Sequence, residues 1–173
     1  MTEFQAQSVD PGLFSLAQIM HLLRVEFSRA QRYDYPLICV ILAVDRLASL
    51  RDLYGYDSKE SILSEVVRLL QEETRACDFA GRLADDRLML LVPHTPVDGA
   101  RDLSARLMER VRGLRFQGEG KSLTVTVSIG AAPLKKGSMF FDSLLNDAQA
   151  ALEEALSAGG DRCIARDPEA EPG

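Results

Sequence analysis

Residues 81–95 read GRLADDRLMLLVPHT. Ala84, Asp85 and Asp86 make a short polar break between two apolar runs. Asp favours turns, because its side chain bonds to nearby backbone and tolerates left-handed geometry. Asp78 to Leu83 and Arg87 to Pro93 are therefore expected as two strands joined as a hairpin. After it, Thr95-Pro96 opens a helix, with proline at its first position and Asp98 in its first turn.

Upstream, Leu37 to Val44 (LICVILAV) is a continuous apolar run rich in β-branched residues. Such a run predicts a strand buried on both faces, central in a sheet. Before it, Leu13, Leu16, Ile19, Leu23, Phe27 and Ala30 recur at helical spacing over 12–32, and Pro36 ends that element. After it, a short helical stretch ends near Gly55. Asp57 with Glu60 has the pattern of a capping box for a helix running to about Arg75. Downstream, Leu123 to Ala131 (LTVTVSIGA) is expected as a strand. Residues 139–158 are expected as an amphipathic helix stopped by Gly159-Gly160, and Cys163 to Ala165 as an edge strand. Helices interleaved with strands predict an α/β sandwich on a mixed sheet. Residues 1–11 are expected to be a flexible N-terminus, 12–166 one domain, and 167–173 a disordered tail.

Composition narrows the function classes. A net charge of −6 argues against a nucleic-acid binder that relies on broad phosphate contact, but leaves room for a small anion at a local arginine site. No apolar run approaches the roughly 20 residues of a membrane-spanning helix. The N-terminus lacks the pattern of a secretion signal. A cytoplasmic location without membrane contact is expected. Cys39, Cys77 and Cys163 lack metal spacing and read as small buried apolar residues. With two histidines, neither a zinc site nor another cofactor is expected.

Four segments, in order, carry a family resemblance. DLYGYDSKESIL (52–63) resembles Asp-x-Tyr-Gly-His followed by Gly-Asp and a Leu. GRLADDRLMLLVPHT resembles the Gly-Gly-Asp-Glu-Phe signature with its strand and Pro-x-Thr. LTVTVSIGAA (123–132) resembles a Val-Thr-x-Ser-x-Gly strand, and DAQAALEEALSAGGDRC (147–163) the last helix and the Gly-Arg-Asn-Arg end. The chain is thus similar to the GGDEF (diguanylate cyclase) family over about 12–165. The resemblance implies an α/β, nucleotidyl-cyclase-like fold with a mixed central sheet flanked by helices.

That family joins two GTP molecules into cyclic di-GMP, using two divalent metals held largely by carboxylates. The resemblance places Ala43 at the first metal Asp, with Asp45 two residues on. It places Ala84-Asp85 at the Gly-Gly pair, Asp86 at the retained acid, Arg87 at the Glu and Leu88 at the Phe. Arg51 and Glu60 stand at the guanine-reading positions, and Leu156 and Gly160 at the phosphate-binding cations. On these departures the chain is expected to be a degenerate member with no enzymatic activity and no metal site.

The resemblance also implies a second site, the family's inhibitory product site Arg-x-x-Asp. Arg75-Ala76-Cys77-Asp78 ends five residues before Ala84, and Arg106 matches the further arginine on the next helix. An arginine fork offers paired donors to guanine O6 and N7 or to phosphate, and a carboxylate accepts from the guanine N1–H and N2–H₂ edge. Arg75, Asp78 and Arg106 are the expected cyclic di-GMP ligands. The other reading of Arg75 and Asp78 is an i,i+3 salt bridge at a helix end. Three functions stay open: a cyclic di-GMP receptor acting on a protein partner, with a homodimer among its forms; a ligand-independent adaptor; and a residual cyclase.

Overall fold

Leu37–Val44 forms β1, the middle strand of the sheet, and the computed structural model describes residues 12–167 around it. The expectations for residues 1–11 and 168–173 lie outside the described residues. β1 pairs antiparallel with β3 (Leu88–Pro93) on one side and β6 (Val127–Pro133) on the other. β2 (Phe79–Arg82) adds antiparallel to β3, and β7 (Cys163–Ala165) adds parallel to β6. The order is β2-β3-β1-β6-β7, a mixed sheet.

The alternation along β1 divides the core. Ile38, Val40, Leu42 and Val44 pack with α3 (Tyr56–Glu73) and α4 (Val97–Arg112). Leu37, Cys39 and Ile41 pack on the other face with α1 (Leu16–Tyr33) and α5 (Phe141–Ser157). Both faces of β1 are therefore dry, which is why its sequence shows no polar alternation. α1 starts with a reciprocal cap between Ser15 and Gln18 and stops at Asp34, which adopts φ 53. A mixed sheet flanked by helices is the fold that the resemblance implies.

Four local expectations are corrected. α2 (Leu47–Tyr54) and α3 meet at Gly55, which has φ 93 and serves as N-cap without a side-chain hydrogen bond. Asp57 is consequently inside α3, and Asp57 with Glu60 makes no capping box. The strand expected over 123–131 begins at Val127, because Lys121–Leu123 (β5) folds back on Phe116–Gly118 (β4) as a separate hairpin. Pro96 is the N-cap of α4 rather than its first helical residue. Cys39 is fully buried and burial pushes its thiol up to about 12, whereas Cys77 is exposed and not a core residue. No described helix is long and apolar enough to cross a membrane.

Candidate functional site

The antiparallel pairings place the candidate site residues at two opposite ends of the sheet. The C-terminus of β1 and the N-termini of β3 and β6 meet at one end, which carries Asp45 and the turn Ala84–Asp86. The other end carries the start of β1, the end of β3 and the Arg75–Asp78 turn, because Arg75 Nη2 donates to the Pro93 carbonyl at 3.0 Å.

At the first end, Asp85 and Asp86 both take φ 59, the left-handed geometry that Asp tolerates and that a glycine pair would adopt freely. Asp86 does not face solvent as a bare acid. Its Oδ2 lies 2.7 Å from Lys59 Nζ, and its Oδ1 accepts from Arg82 Nη2 at 2.7 Å. Burial pushes the Asp86 carboxyl up, but the bonds from Lys59 and Arg82 outweigh it and leave its pKa lowered. Glu60 completes the group, 3.5 Å from both Lys59 Nζ and Arg82 Nη2. Asp45 is equally engaged: it accepts from Thr126 Oγ1 (2.6 Å), Ser128 Oγ (2.7 Å) and the Asp161 N–H (2.9 Å). Gly160 fits beside it, since a Cβ there would stand 2.9 Å from Asp45 Oδ1. Arg87 turns to Glu153 on α5 at 2.7 Å, and Arg51 to Asp52.

A pair of divalent metals does not fit this donor set. Hard cations need several oxygen ligands free to face them. Here Asp86 faces an ammonium and a guanidinium, and Asp45 spends its oxygens on three hydrogen-bond donors. Among the described residues no group of three or more His, Cys, Asp or Glu could hold a metal ion.

At the second end, the structure brings Arg75 and Asp78 together and fixes both. The Arg75 backbone N–H donates to Asp78 Oδ2 at 2.8 Å, and Nη2 donates to Asp78 Oδ1 at 3.1 Å. Nη2 also donates to Thr95 Oγ1 at 2.7 Å. The hydrogen bond to Asp78 raises the Arg75 pKa, so the fork is permanently charged. The Asp78 side chain is 2 % exposed while that of Arg75 is 52 % exposed. The Asp78 carboxylate is thus enclosed in the turn, where it holds the Arg75 fork.

Arg106 Nε donates to Glu73 Oε2 at 3.2 Å, on the last residue of α3 and two residues before Arg75. Arg110 Nη1 donates to the other oxygen of Glu73 at 3.0 Å and Nη2 bonds to Glu72. The bonds from Arg106 and Arg110 hold the Glu73 carboxyl below its ordinary pKa. Arg101 pairs with Asp98 and Arg112 with Asp161. His94 stacks on Tyr35 with ring centroids 4.0 Å apart.

Lys59 and Glu73 are among the residues of these sites that escape the sequence reading. Lys59 precedes Ile62, Leu63 and Val66 by three, four and seven, so helical spacing places it on the buried stripe of α3. That spacing was the available signal. Glu73 carries no such mark, because its partners Arg106 and Arg110 lie on another helix.

The model of the family described as "Diguanylate cyclase, GGDEF domain" matches residues 11–162. Among curated proteins, the chain is 27% identical over 161 residues to "Probable diguanylate cyclase DgcC" of Escherichia coli K12, covering 91% of this chain and 43% of that protein. It is 30% identical over 156 residues to "Diguanylate cyclase DgcM" of the same strain, covering 89% and 37%. The chain thus spans less than half the length of these relatives. Among solved structures, diguanylate cyclase SiaD of Pseudomonas aeruginosa, in complex with its activator SiaC, superposes with a TM-score of 0.85 at 29% identity, over 94% of this chain and 62% of that one. The GGDEF domain of DgcB from Caulobacter crescentus, in complex with c-di-GMP, gives 0.84 at 18% identity over 88% and 91%, which speaks to the fold alone.

These relatives overturn the expectation that the chain is not an enzyme. Proteins named diguanylate cyclases match most of its length at 27–30% identity, which points to an enzyme. Substitutions at single positions weigh less here than a likeness that extends over about nine-tenths of the chain.

Proposed function

Because this chain belongs to the GGDEF diguanylate cyclase domain family, we propose that it works in cyclic di-GMP signalling and binds the dinucleotide at the Arg75–Asp78 turn, with Arg106 as a further contact. The observation that carries this reading is the half-exposed Arg75 guanidinium held in one orientation by Asp78, Pro93 and Thr95. A fork ordered before the ligand arrives loses less freedom on binding, and its planar donors suit guanine O6 and N7 or a phosphate. Asp78 acts here as a positioning residue for Arg75. Two neighbours of the same fold support the partner classes: the DgcB domain is in complex with c-di-GMP, and SiaD with a protein activator. Ligand occupancy at this turn is proposed to act on a protein partner.

Thermal unfolding with added ligand tests the reading. At a cyclic di-GMP concentration 100 times Kd, linkage adds about 2.7 kcal/mol, which raises the midpoint of a protein this size by roughly 5–10 °C. An unmoved midpoint contradicts it. Incubation of the same preparation with GTP and Mg²⁺ or Mn²⁺, followed by separation of the nucleotides, reads the activity of the named relatives directly.

Glu73 provides an independent check on Arg106. A phosphate that reaches Arg106 competes with Glu73 for the same guanidinium. Glu73→Gln removes the competing charge of an exposed pair and is expected to tighten cyclic di-GMP binding roughly two- to five-fold. Identical affinities for the two proteins in parallel titrations would place Arg106 outside the ligand's reach.

A further inference from the structure

Lys59 is the buried cation at the Asp45–Asp86 end. Its side chain is 10 % exposed, and its ammonium touches two carboxylates, Asp86 at 2.7 Å and Glu60 at 3.5 Å. The Tyr56 ring covers it at 5.1 Å from the centroid. Arg82 binds the same two acids from its own position, at 2.7 Å and 3.5 Å. Two carboxylates are thus balanced by two side-chain cations, with an ammonium between the acids. Burying a charge is tolerated when it is paired and hydrogen-bonded, and this one is. The hydrogen bond to Asp86 raises the Lys59 pKa, so the ammonium stays charged across the neutral range.

We propose that Lys59 is the resident cation of this end of the sheet, holding Asp86 in the role that a divalent metal ion would otherwise fill, with Glu60 as its second, longer contact. Removing the ammonium leaves two acids facing a space that had held a positive charge. A small hard cation with oxygen ligands suits that space, with water completing its coordination. The position in the chain agrees with the role: in the motif that residues 52–63 resemble, a glycine stands where Lys59 does. The proposal does not depend on dinucleotide binding, since the Arg75–Asp78 turn lies at the opposite end of the sheet.

The test compares the thermal midpoints of the unaltered chain, Lys59→Met and Lys59→Arg, each with EDTA or with millimolar MnCl₂. The unaltered chain and Lys59→Arg are expected to unfold within about 1 °C of the same midpoint in both solutions, the normal scale for surface ionic effects. Lys59→Met is expected to fall by about 5 °C in EDTA, for loss of one partner in a part-buried charge group, and to recover about half of that with Mn²⁺. Adding Asp86→Asn to Lys59→Met should abolish the recovery. A midpoint of the unaltered chain that rises with Mn²⁺ overturns the proposal, whichever variants fold. So does a Lys59→Met protein that is indifferent to the ion.

Discussion

Arg75→Ala is expected to weaken cyclic di-GMP binding roughly 30-fold or more, the scale on which truncating a charged, multiply bonded contact acts. Arg75 joins the end of α3 to the Pro93 carbonyl and Thr95, and its fork is the exposed part of the turn. Among the described residues, the alanine variant also leaves the enclosed Asp78 carboxylate with only the residue 75 N–H and the weak Cys77 thiol as donors. It therefore needs a companion that keeps the turn charged. Arg75→Lys keeps a cation beside Asp78 but loses the planar fork, so it should retain the unfolding midpoint and still lose about tenfold in affinity. Calorimetric titration of both variants checks this. Curves that overlay the unaltered protein's would remove Arg75 from the site.

Gly130→Ala carries the largest expected effect on stability. Gly130 lies in β6 under α5, and a Cβ there would stand 2.3 Å from the Leu152 N and 2.4 Å from the Ala148 carbonyl oxygen. Those are backbone atoms, so no rotamer change relieves the contact and α5 must lift from the sheet. Overpacking of this kind costs about 3 kcal/mol, lowering the midpoint of a domain this size by roughly 6–12 °C. A midpoint within about 1 °C of the unaltered protein would mean that α5 has slack against β6 that the structure does not show. The same close approach accounts for small residues at Gly130 and Ala132 on the α5 face of the strand, which let a helix backbone rest on it.

The layers of the fold are legible from local pattern. LICVILAV has no polar position because both its faces are covered, and GRLADDRLMLL shows its turn because two aspartates in left-handed geometry interrupt apolar residues. Where elements meet, pattern gives less. Gly55 serves two helices at once, and a Glu three residues after Asp57 imitates a capping box that the junction leaves no room for. Thr124 to Thr126 continue an apparent strand, whereas Glu119 and Gly120, both at positive φ, pull Lys121–Leu123 into another hairpin.

The candidate site divides in the same way. Arg75 and Asp78 can be found in sequence because they fall where the family resemblance places Arg-x-x-Asp, five residues before Ala84. Their burial cannot: that Asp78 faces inward depends on β3 and Thr95. Lys59, Arg82, Glu60 and Asp86 come from α3, β2 and the turn, so their charge balance exists only once the sheet has formed. Glu73 occupies Arg106 across two helices and is invisible to any local motif.

Calorimetric titration of the unaltered chain with cyclic di-GMP, with GTP in a parallel cell, bears most directly on the central claim. The account predicts saturable binding of the dinucleotide at micromolar or tighter affinity, through a site that GTP does not compete for. No heat and no thermal shift with cyclic di-GMP up to ~1 mM, where even weak specific binding registers, would contradict it and leave the Arg75–Asp78 pair as a helix-end salt bridge.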